Sequence, residues 1–544
     1  MKVRTGRRLL ARTALAATLL LAACGGSDSN SSTSTPGSVG DSSSTGPAST
    51  AVPVAGGTLI TAEAQDTAEM DPAISTFDMS WRLQAFVYET LVTTNAQSEL
   101  LPGIAESWEQ PSDTSFVFTL RPGVTFSNGR ALTADDVVGS LQRIIDPNTG
   151  SYWAPQMGPI DKITAVDATT VQVDLTAPYA PFLASLANIS AAILPMTELT
   201  DGSFDPTTQM LGSGPFMLKE HLADQQWTFE RNPNYWREGF PLLDGVEVRV
   251  VPDDATRVAA LRDGSIDIGY FGSPDAPALL DGVADVDVTV QRSSDMYWLQ
   301  LNSVGPDSPF ADVRVRQAVA YALDRDAIIT NALAGNGEAT GVASAGLPGA
   351  CAADGLPTYT RDVEKAKALL AEAGVTDLKF EIIVPPYLST FSPIAQVIQQ
   401  NLGDAGIEVT ISSPEFGTYL QSVYIDQPAT FEGVVDYFAG YLDPAMVMQF
   451  LAPARNPVTA GFLTESPELT AAIDAAAVPG SADERAAAVA AACVAAADFA
   501  NVIPIATKNS TVAVRTDRVN GTVADFDAYD IYLRGIETFS IVKD

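Results

Sequence analysis

Histidine is almost missing from this 544-residue chain: His221 is the only one. That excludes a His-x-x-x-His metal pair or a histidine-rich site, and no metal or cofactor is expected. A serine–histidine–acid triad would have to use His221. It lies in Lys219-Glu220-His221-Leu222-Ala223-Asp224, which reads as a polar turn between strands with the imidazole on the surface. Cysteine is scarce as well, limited to Cys24, Cys351 and Cys493. There is no Cys-x-x-Cys, no Gly-x-Gly-x-x-Gly after a strand and no Gly-x-Ser-x-Gly elbow, so those redox, dinucleotide and hydrolase readings fall away. Positive charge is the third shortage. Thirty-one Lys and Arg stand against 66 Asp and Glu, and five of the basic residues precede Cys24. The remainder carries a net charge of −40, which argues against nucleic acid or anionic lipid as a partner. A hydrolase working with carboxylates alone stays open, because so many acids always allow some pair.

What is present begins with Lys2, Arg4, Arg7, Arg8 and Arg12, followed by an apolar run from Ala14 to Ala23. A basic region, a short apolar stretch and small residues describe a secretory signal peptide over residues 1–23. The run covers only ~15 Å as helix, half of a bilayer core, and no later segment has eighteen uninterrupted apolar residues. Leu21-Ala22-Ala23-Cys24 resembles the lipobox of bacterial lipoproteins, which implies a lipidated Cys24 and a protein anchored to the cell membrane outside the cytoplasm. Residues 24–54 are Gly, Ser, Thr, Asp and Pro with almost no large apolar side chain, and read as a flexible linker reaching ~30 Å.

The body reads as mixed α and β, too long for one core. Phe116-Val117-Phe118-Thr119-Leu120, Val171-Gln172-Val173-Asp174-Leu175 and Gly245-Val246-Glu247-Val248-Arg249-Val250-Val251 alternate like strands. Thr133 and Asp136 have capping-box spacing, residues 363–373 read as a helix ending at Gly374, and residues 467–500 as two helices parted by Val478-Pro479-Gly480. Asp135-Asp136 is explained by helix capping rather than acid–base work. Gly212-Ser213-Gly214-Pro215 is not a phosphate loop, since no Lys-Ser/Thr follows and Pro215 removes an N–H. Cys351 and Cys493 are a candidate disulfide in an oxidising compartment, with a buried thiol in an Ala-rich helix as the other reading of Cys493.

Eight blocks then occur in order: Tyr88-Glu89-Thr90-Leu91-Val92; Pro102-Gly103-Ile104-Ala105-Glu106-Ser107-Trp108; Phe116 through Gly129; Leu132-Thr133-Ala134-Asp135-Asp136-Val137; Gly212-Ser213-Gly214-Pro215-Phe216; Arg231-Asn232-Pro233-Asn234-Tyr235-Trp236; Leu261-Arg262-Asp263-Gly264-Ser265-Ile266-Asp267; and Asp312-Val313-Arg314-Val315-Arg316-Gln317-Ala318-Val319. Together they resemble the family 5 extracellular solute-binding proteins of ABC transporters, the oligopeptide, dipeptide and nickel group. The resemblance implies an α/β, periplasmic-binding-protein-like class II (cluster C) fold of three lobes, with the ligand cleft between lobes I and III. Lobe I would combine residues 55–94, 212–298 and 503–544, lobe II would be 95–211, and lobe III 299–502. Crossings near Trp298-Leu299 and Val502-Ile503 would form the hinge. It also implies a monomeric, non-enzymatic receptor that hands a small solute to a permease.

The resemblance places ligand contacts at Thr76, Phe77 and Asp78, and at Trp298 beside the hinge. In peptide-binding members an aspartate anchors the amino terminus within aromatic-x-x-Asp-x-x-Asp/Glu-Pro. The matching stretch runs from Tyr437 through Asp443-Pro444, and the anchor position is Gly440, which offers no charge. Asp436 is the substitute within reach. Phe416, Tyr419, Tyr437, Phe438 and Tyr441 are candidate stacking rings, with plain core as the other reading. A peptide leads as the solute; a neutral or cationic organic solute such as an oligosaccharide comes next, and nickel last, for want of histidine. Cys24→Ser is expected to release the protein to the medium or leave it unprocessed. Membrane fractionation and mass of the mutant check this, and retention at wild-type level and size would contradict it.

Overall fold

Phe116, Phe118 and Leu120 are buried while the residues between them are partly open, and this period of two builds the strand Ser115–Leu120. The computed structural model describes residues 55–95, 98–291, 293–305, 307–521 and 535–542. The expected leader, Cys24 and the linker lie outside them. The other alternating segments also form strands, Thr170–Leu175 and Gly245–Val250. The helix Ala134–Ile145 starts where its capping box was read, with Asp136 accepting the Thr133 N–H at 3.0 Å. The helix Val363–Glu372 ends before Gly374 at φ +74°, and the Ala-rich stretch gives Pro467–Ala476 and Ala482–Phe499. No described helix is long and apolar enough to cross a membrane.

Three sheets of four or more strands organise these elements. A seven-stranded sheet has the order Val286–Gln291, Ser510–Arg515, Ile268–Phe271, Thr58–Glu63, Gly245–Val250, Gln226–Arg231, Phe216–Leu222. A five-stranded sheet has the order Glu408–Ser412, Lys379–Ile383, Gly433–Phe438, Met296–Leu301, Val502–Thr507. The third, Ala105–Ser112, Ser115–Leu120, Thr170–Leu175, Ile160–Asp167, is antiparallel and lies within the stretch expected as lobe II. Met296–Leu301 and Val502–Thr507 pair with each other along their length inside the five-stranded sheet. The chain therefore passes between the two larger sheets at residues 291–296 and 507–510. The pairs Trp298-Leu299 and Val502-Ile503, where the crossings were expected, sit within these two strands, a few residues from the passages.

Cys351 and Cys493 are bonded, with Cα atoms 6.3 Å apart, which fastens the 334–360 connection to the helix Ala482–Phe499. The structure corrects the reading of His221. It lies on the strand Phe216–Leu222, directly across from Trp227, stacked on that indole at 3.6 Å with its Nε2 2.9 Å from Asp66. Its side chain is 18% exposed, so it is neither in a turn nor a free surface group.

Three of the sequence blocks meet at Glu89. Its carboxylate accepts the Trp236 indole N–H at 2.9 Å, the Ser213 hydroxyl at 2.8 Å and the Tyr235 hydroxyl at 3.3 Å. Gly212 leaves room for this approach, since a Cβ there would meet the Val87 carbonyl. Burial pushes the Glu89 carboxyl up to about 7 against those hydrogen bonds. Folding thus raises its pKa above the ordinary 4.5, so this group's contribution to stability is full below about 4.5 and is lost as pH rises through about 7. In urea titrations across that window, Glu89→Gln is expected to remove this loss. The variant gains on the wild type at pH 8 by on the order of 1–2 kcal/mol, given partial solvent screening, and shows no gain at pH 4.

Candidate functional site

The strand Gly433–Phe438 is paired on both sides, with Lys379–Ile383 and with Met296–Leu301, and nearly every residue on it is buried. A charge placed there needs explanation. Asp436 is 3% exposed and forms no ion pair among the described residues. Its carboxylate instead accepts the Tyr387 hydroxyl at 2.8 Å, the Tyr424 hydroxyl at 3.0 Å, the Tyr419 hydroxyl, and the Tyr437 N–H at 2.9 Å. Burial pushes its pKa up, and these donors hold it back by stabilising the ionised form.

A cavity of about 660 Å³ opens beside this group at the end of the strand. Three parts of the chain wall it. Thr76, Phe77 and Trp81 come from the start of the helix Asp78–Val87 and the turn before it. Tyr152 and Trp153 belong to a second stretch, residues 145–155, at the end of the helix Ala134–Ile145 and in the connection after it, and the third part is residues 387–458. The walls are rings in mutual contact. Trp81 meets Trp153 at 5.4 Å, Trp153 meets Tyr441 at 5.7 Å, and Phe77 meets Phe416 at 5.5 Å. The Tyr152 and Tyr441 hydroxyls lie 3.3 Å apart. Such rings pack as edges and tilted faces, each contact adding about 0.5–1.5 kcal/mol beyond area burial. Among the described residues that line the cavity, Asp436 is the only Asp, Glu, Lys, Arg or His.

Behind Tyr437 lies a buried ion cluster. The Lys508 ammonium is 3.3 Å from Asp295, 4.0 Å from Asp78, and 4.5 Å from the centre of the Tyr437 ring. Asp295 also accepts the Gly440 N–H at 3.3 Å, and its backbone carbonyl accepts the Lys508 N–H at 2.9 Å. Burial alone would lower the Lys508 pKa; Asp295 and Asp78 outweigh it and hold the ammonium above its ordinary value. Both passages between the larger sheets carry a member of this cluster.

Of the residues expected at a ligand, Thr76, Phe77, Phe416, Tyr419, Asp436, Tyr437, Phe438 and Tyr441 line the cavity. Asp78 does not. It borders an adjoining cavity of about 370 Å³ that shares Tyr387 with the first. Gly440 lies outside the lining, at φ +78°, with its N–H committed to Asp295. Trp298 is corrected to a core position: it is fully buried and stacked on Phe438 at 5.0 Å. Being directly across from Asp436 in register, it packs beneath the site. The cleft expected between lobes I and III is also walled from the stretch expected as lobe II. Sequence reasoning missed Trp81, Tyr152, Trp153, Tyr387 and Tyr424. It missed Asp295 and Lys508 as well, since nothing local marks residues so far apart as partners. Among the described residues, no group of three or more His, Cys, Asp or Glu is placed to hold a metal ion.

The chain matches the family described as bacterial extracellular solute-binding proteins, family 5 Middle, over residues 99–456. It is 32% identical over 356 residues to the dipeptide-binding protein of Escherichia coli K12, spanning 60% of this chain and just under two thirds, 65%, of that one. It is 30% identical over 439 residues to heme-binding protein A of Haemophilus influenzae, spanning 75% of this chain and 77% of that one. Among solved structures, the binding protein AgaA of A. tumefaciens R10 in complex with agropinic acid superposes with a TM-score of 0.80 at 25% identity, covering 90% of this chain and 99% of that one. This chain belongs to the family 5 bacterial extracellular solute-binding proteins and has their periplasmic-binding-protein fold. Members are substrate receptors and not enzymes, which removes the carboxylate hydrolase left open above.

Lys508→Met leaves Asp295 and Asp78 buried near one another without the ammonium, and is expected to lower the unfolding free energy by about 3–5 kcal/mol. Urea denaturation checks this. The double variant Asp295→Asn/Lys508→Met is expected to recover most of the loss, which a simple packing defect at residue 508 would not allow.

Proposed function

We propose that this chain is a lipid-anchored, extracytoplasmic receptor that captures a small organic solute in the aromatic cavity and delivers it to the permease of an ABC importer, as a monomer and without a cofactor. One observation carries the reading. A concave site of about 660 Å³, mostly ring-lined with few polar groups, falls within the roughly 300–1,000 Å³ of small-ligand sites. The family supplies the transport context, and the leader and Leu-Ala-Ala-Cys pattern at Cys24 supply the anchor. In this reading the three sheets belong to three lobes, and the passages at 291–296 and 507–510 form the hinge over which the lobes close. A permease can then tell the loaded, closed shape from the empty, open one.

A peptide is the leading solute class, since the relatives include a dipeptide-binding protein. A second reading, a non-peptide organic solute, is favoured by Gly440: without a carboxylate it cannot pair the ammonium of a peptide in the family's usual place. The relative in complex with agropinic acid is compatible with that reading. Mass spectrometry of the solute that copurifies with the full chain identifies the class. After that solute is removed, its return is expected to shrink the radius of gyration in solution scattering and to stabilise the fold by about 1.4 kcal/mol at ten times Kd. Conversion of the solute to product, or no change in radius on rebinding, would overturn the receptor reading.

A further inference from the structure

We propose that Asn456 is a specificity-determining residue of the aromatic cavity: its side-chain N–H is reserved for a hydrogen-bond acceptor on the solute, such as an amide, ester or ketone carbonyl carried on an apolar or aromatic body. The inference rests on the receptor reading above and names the solute chemistry that reading leaves open.

Asn456 stands before the turn Pro457–Gly461 and is fully buried at the cavity wall. Its polar groups are accounted for one by one. The backbone N–H donates to the Ala452 carbonyl at 3.0 Å, and the backbone carbonyl accepts the Thr459 N–H at 3.1 Å and the Thr459 hydroxyl at 2.9 Å. The side-chain Oδ1 caps the turn by accepting the Val458 N–H at 3.1 Å. That bond also fixes which end of the amide is which, since Nδ2 in the place of Oδ1 would set two donors against each other. Nδ2 is what remains, buried and without a partner among the described residues. A buried donor is ordinarily paired, so one left open at the wall of a ligand cavity is a place kept for an acceptor on the solute.

The rest of the wall has little to offer an acceptor, because most of its donors are spent on the protein. The Trp81 and Trp153 indole N–H groups both donate to the Ser75 carbonyl, at 3.3 and 2.9 Å. The Tyr387, Tyr419 and Tyr424 hydroxyls donate to Asp436, whose two oxygens take two donors each once the Tyr437 N–H is counted. A carboxylate has about four lone-pair positions, so Asp436 is filled from within the protein and braces three rings of the wall. The Ser151 hydroxyl donates to the Ala73 carbonyl, and those of Tyr152 and Tyr441 face each other.

This distribution selects a solute. An oligosaccharide presents many hydroxyls that each need a partner on leaving water, and a wall with its donors spent leaves most of them unmatched. A ring or alkyl body loses nothing polar on entering and gains contact with rings on three sides. One acceptor placed at Asn456 then completes the amide and orients that body, whereas a compound of the same shape without the acceptor leaves Nδ2 open. The solute class is therefore an apolar or aromatic compound bearing a neutral carbonyl or a comparable acceptor. A hydrophobic peptide qualifies through an amide carbonyl; an oligosaccharide does not.

Benzophenone and the alkene in which C=CH2 replaces its C=O test this, since the two share both rings and their shape and differ in the acceptor alone. Binding to the full chain, freed of copurified solute, is read by equilibrium dialysis. Asn456→Ser keeps an oxygen that can cap the Val458 N–H but is too short to bring a donor to the place of Nδ2. It is expected to lower the affinity for benzophenone relative to that for the alkene by about tenfold, whatever it does to both in common. Two further measurements need no variant, and they decide alone should Asn456→Ser fail to fold as judged by near-ultraviolet circular dichroism. The carbonyl stretch of bound benzophenone is expected at lower frequency than in hexane, the mark of a hydrogen bond to its oxygen. Photolabelling by the same ketone is expected within residues 450–458, which carry Phe450, Asn456 and Val458 of the lining. An unchanged affinity ratio in folded Asn456→Ser, a bound carbonyl stretch at its hexane position, labelling confined to other parts of the chain, or no benzophenone binding at its solubility limit overturns the proposal. None of these outcomes touches the receptor reading, which stands or falls on closure around the copurified solute.

Discussion

A lysine ammonium buried among two aspartates ties together the two passages of the chain between its larger sheets. The chain passes only twice between the seven- and five-stranded sheets as described, and Asp295 sits in one passage and Lys508 in the other. Taking these charges out of water is unfavourable, and their attraction offsets it only while the geometry is kept. The cluster therefore acts as a constraint on where the two passages lie relative to each other more than as a source of stability. It also reaches the site. Tyr437 has Lys508 over its ring and belongs to the cavity lining, and Asp295 fixes the Gly440 N–H just past the strand end. One ring thus separates the ion cluster at the passages from the carboxylate in the cavity, since Tyr437 directly follows Asp436 on the strand.

The site joins two kinds of force with different reach. Ring contacts are short-ranged and individually small, but they fix shape on three sides. The Asp436 charge is longer-ranged than a ring contact. Trp298 shows how closely the two are layered, since it supports Phe438 from beneath while lying across from Asp436 in register.

Much of the scaffold was legible because its signals are local. The alternation of Phe116, Phe118 and Leu120, the Thr133–Asp136 capping box and the Gly374 stop each need fewer than five residues of context. The strand Met296–Leu301 was not legible, because it is buried throughout and shows no alternation that would mark it. His221 was misread because its neighbours are polar, whereas its environment is set by Trp227 across the hairpin and by distant Asp66. A third of the lining was legible beforehand, namely Thr76, Phe77, Phe416, Tyr419, Asp436, Tyr437, Phe438 and Tyr441. The rest was not, because Trp153 sits in an irregular connection, and Tyr387 and Tyr424 join Tyr419 only when the fold points all three hydroxyls at one carboxylate.

The seven-stranded sheet has a consequence for biogenesis. Its strand Thr58–Glu63 comes early in the chain, yet its partners are Gly245–Val250 and Ile268–Phe271, and Ser510–Arg515 must slot between Ile268–Phe271 and the edge strand Val286–Gln291. A chain made from its N-terminus cannot complete this sheet until Ser510–Arg515 has been made. Such distant pairing slows folding. The order of strands in space thus delays closure of this sheet until Ser510–Arg515 is available to both of its neighbours.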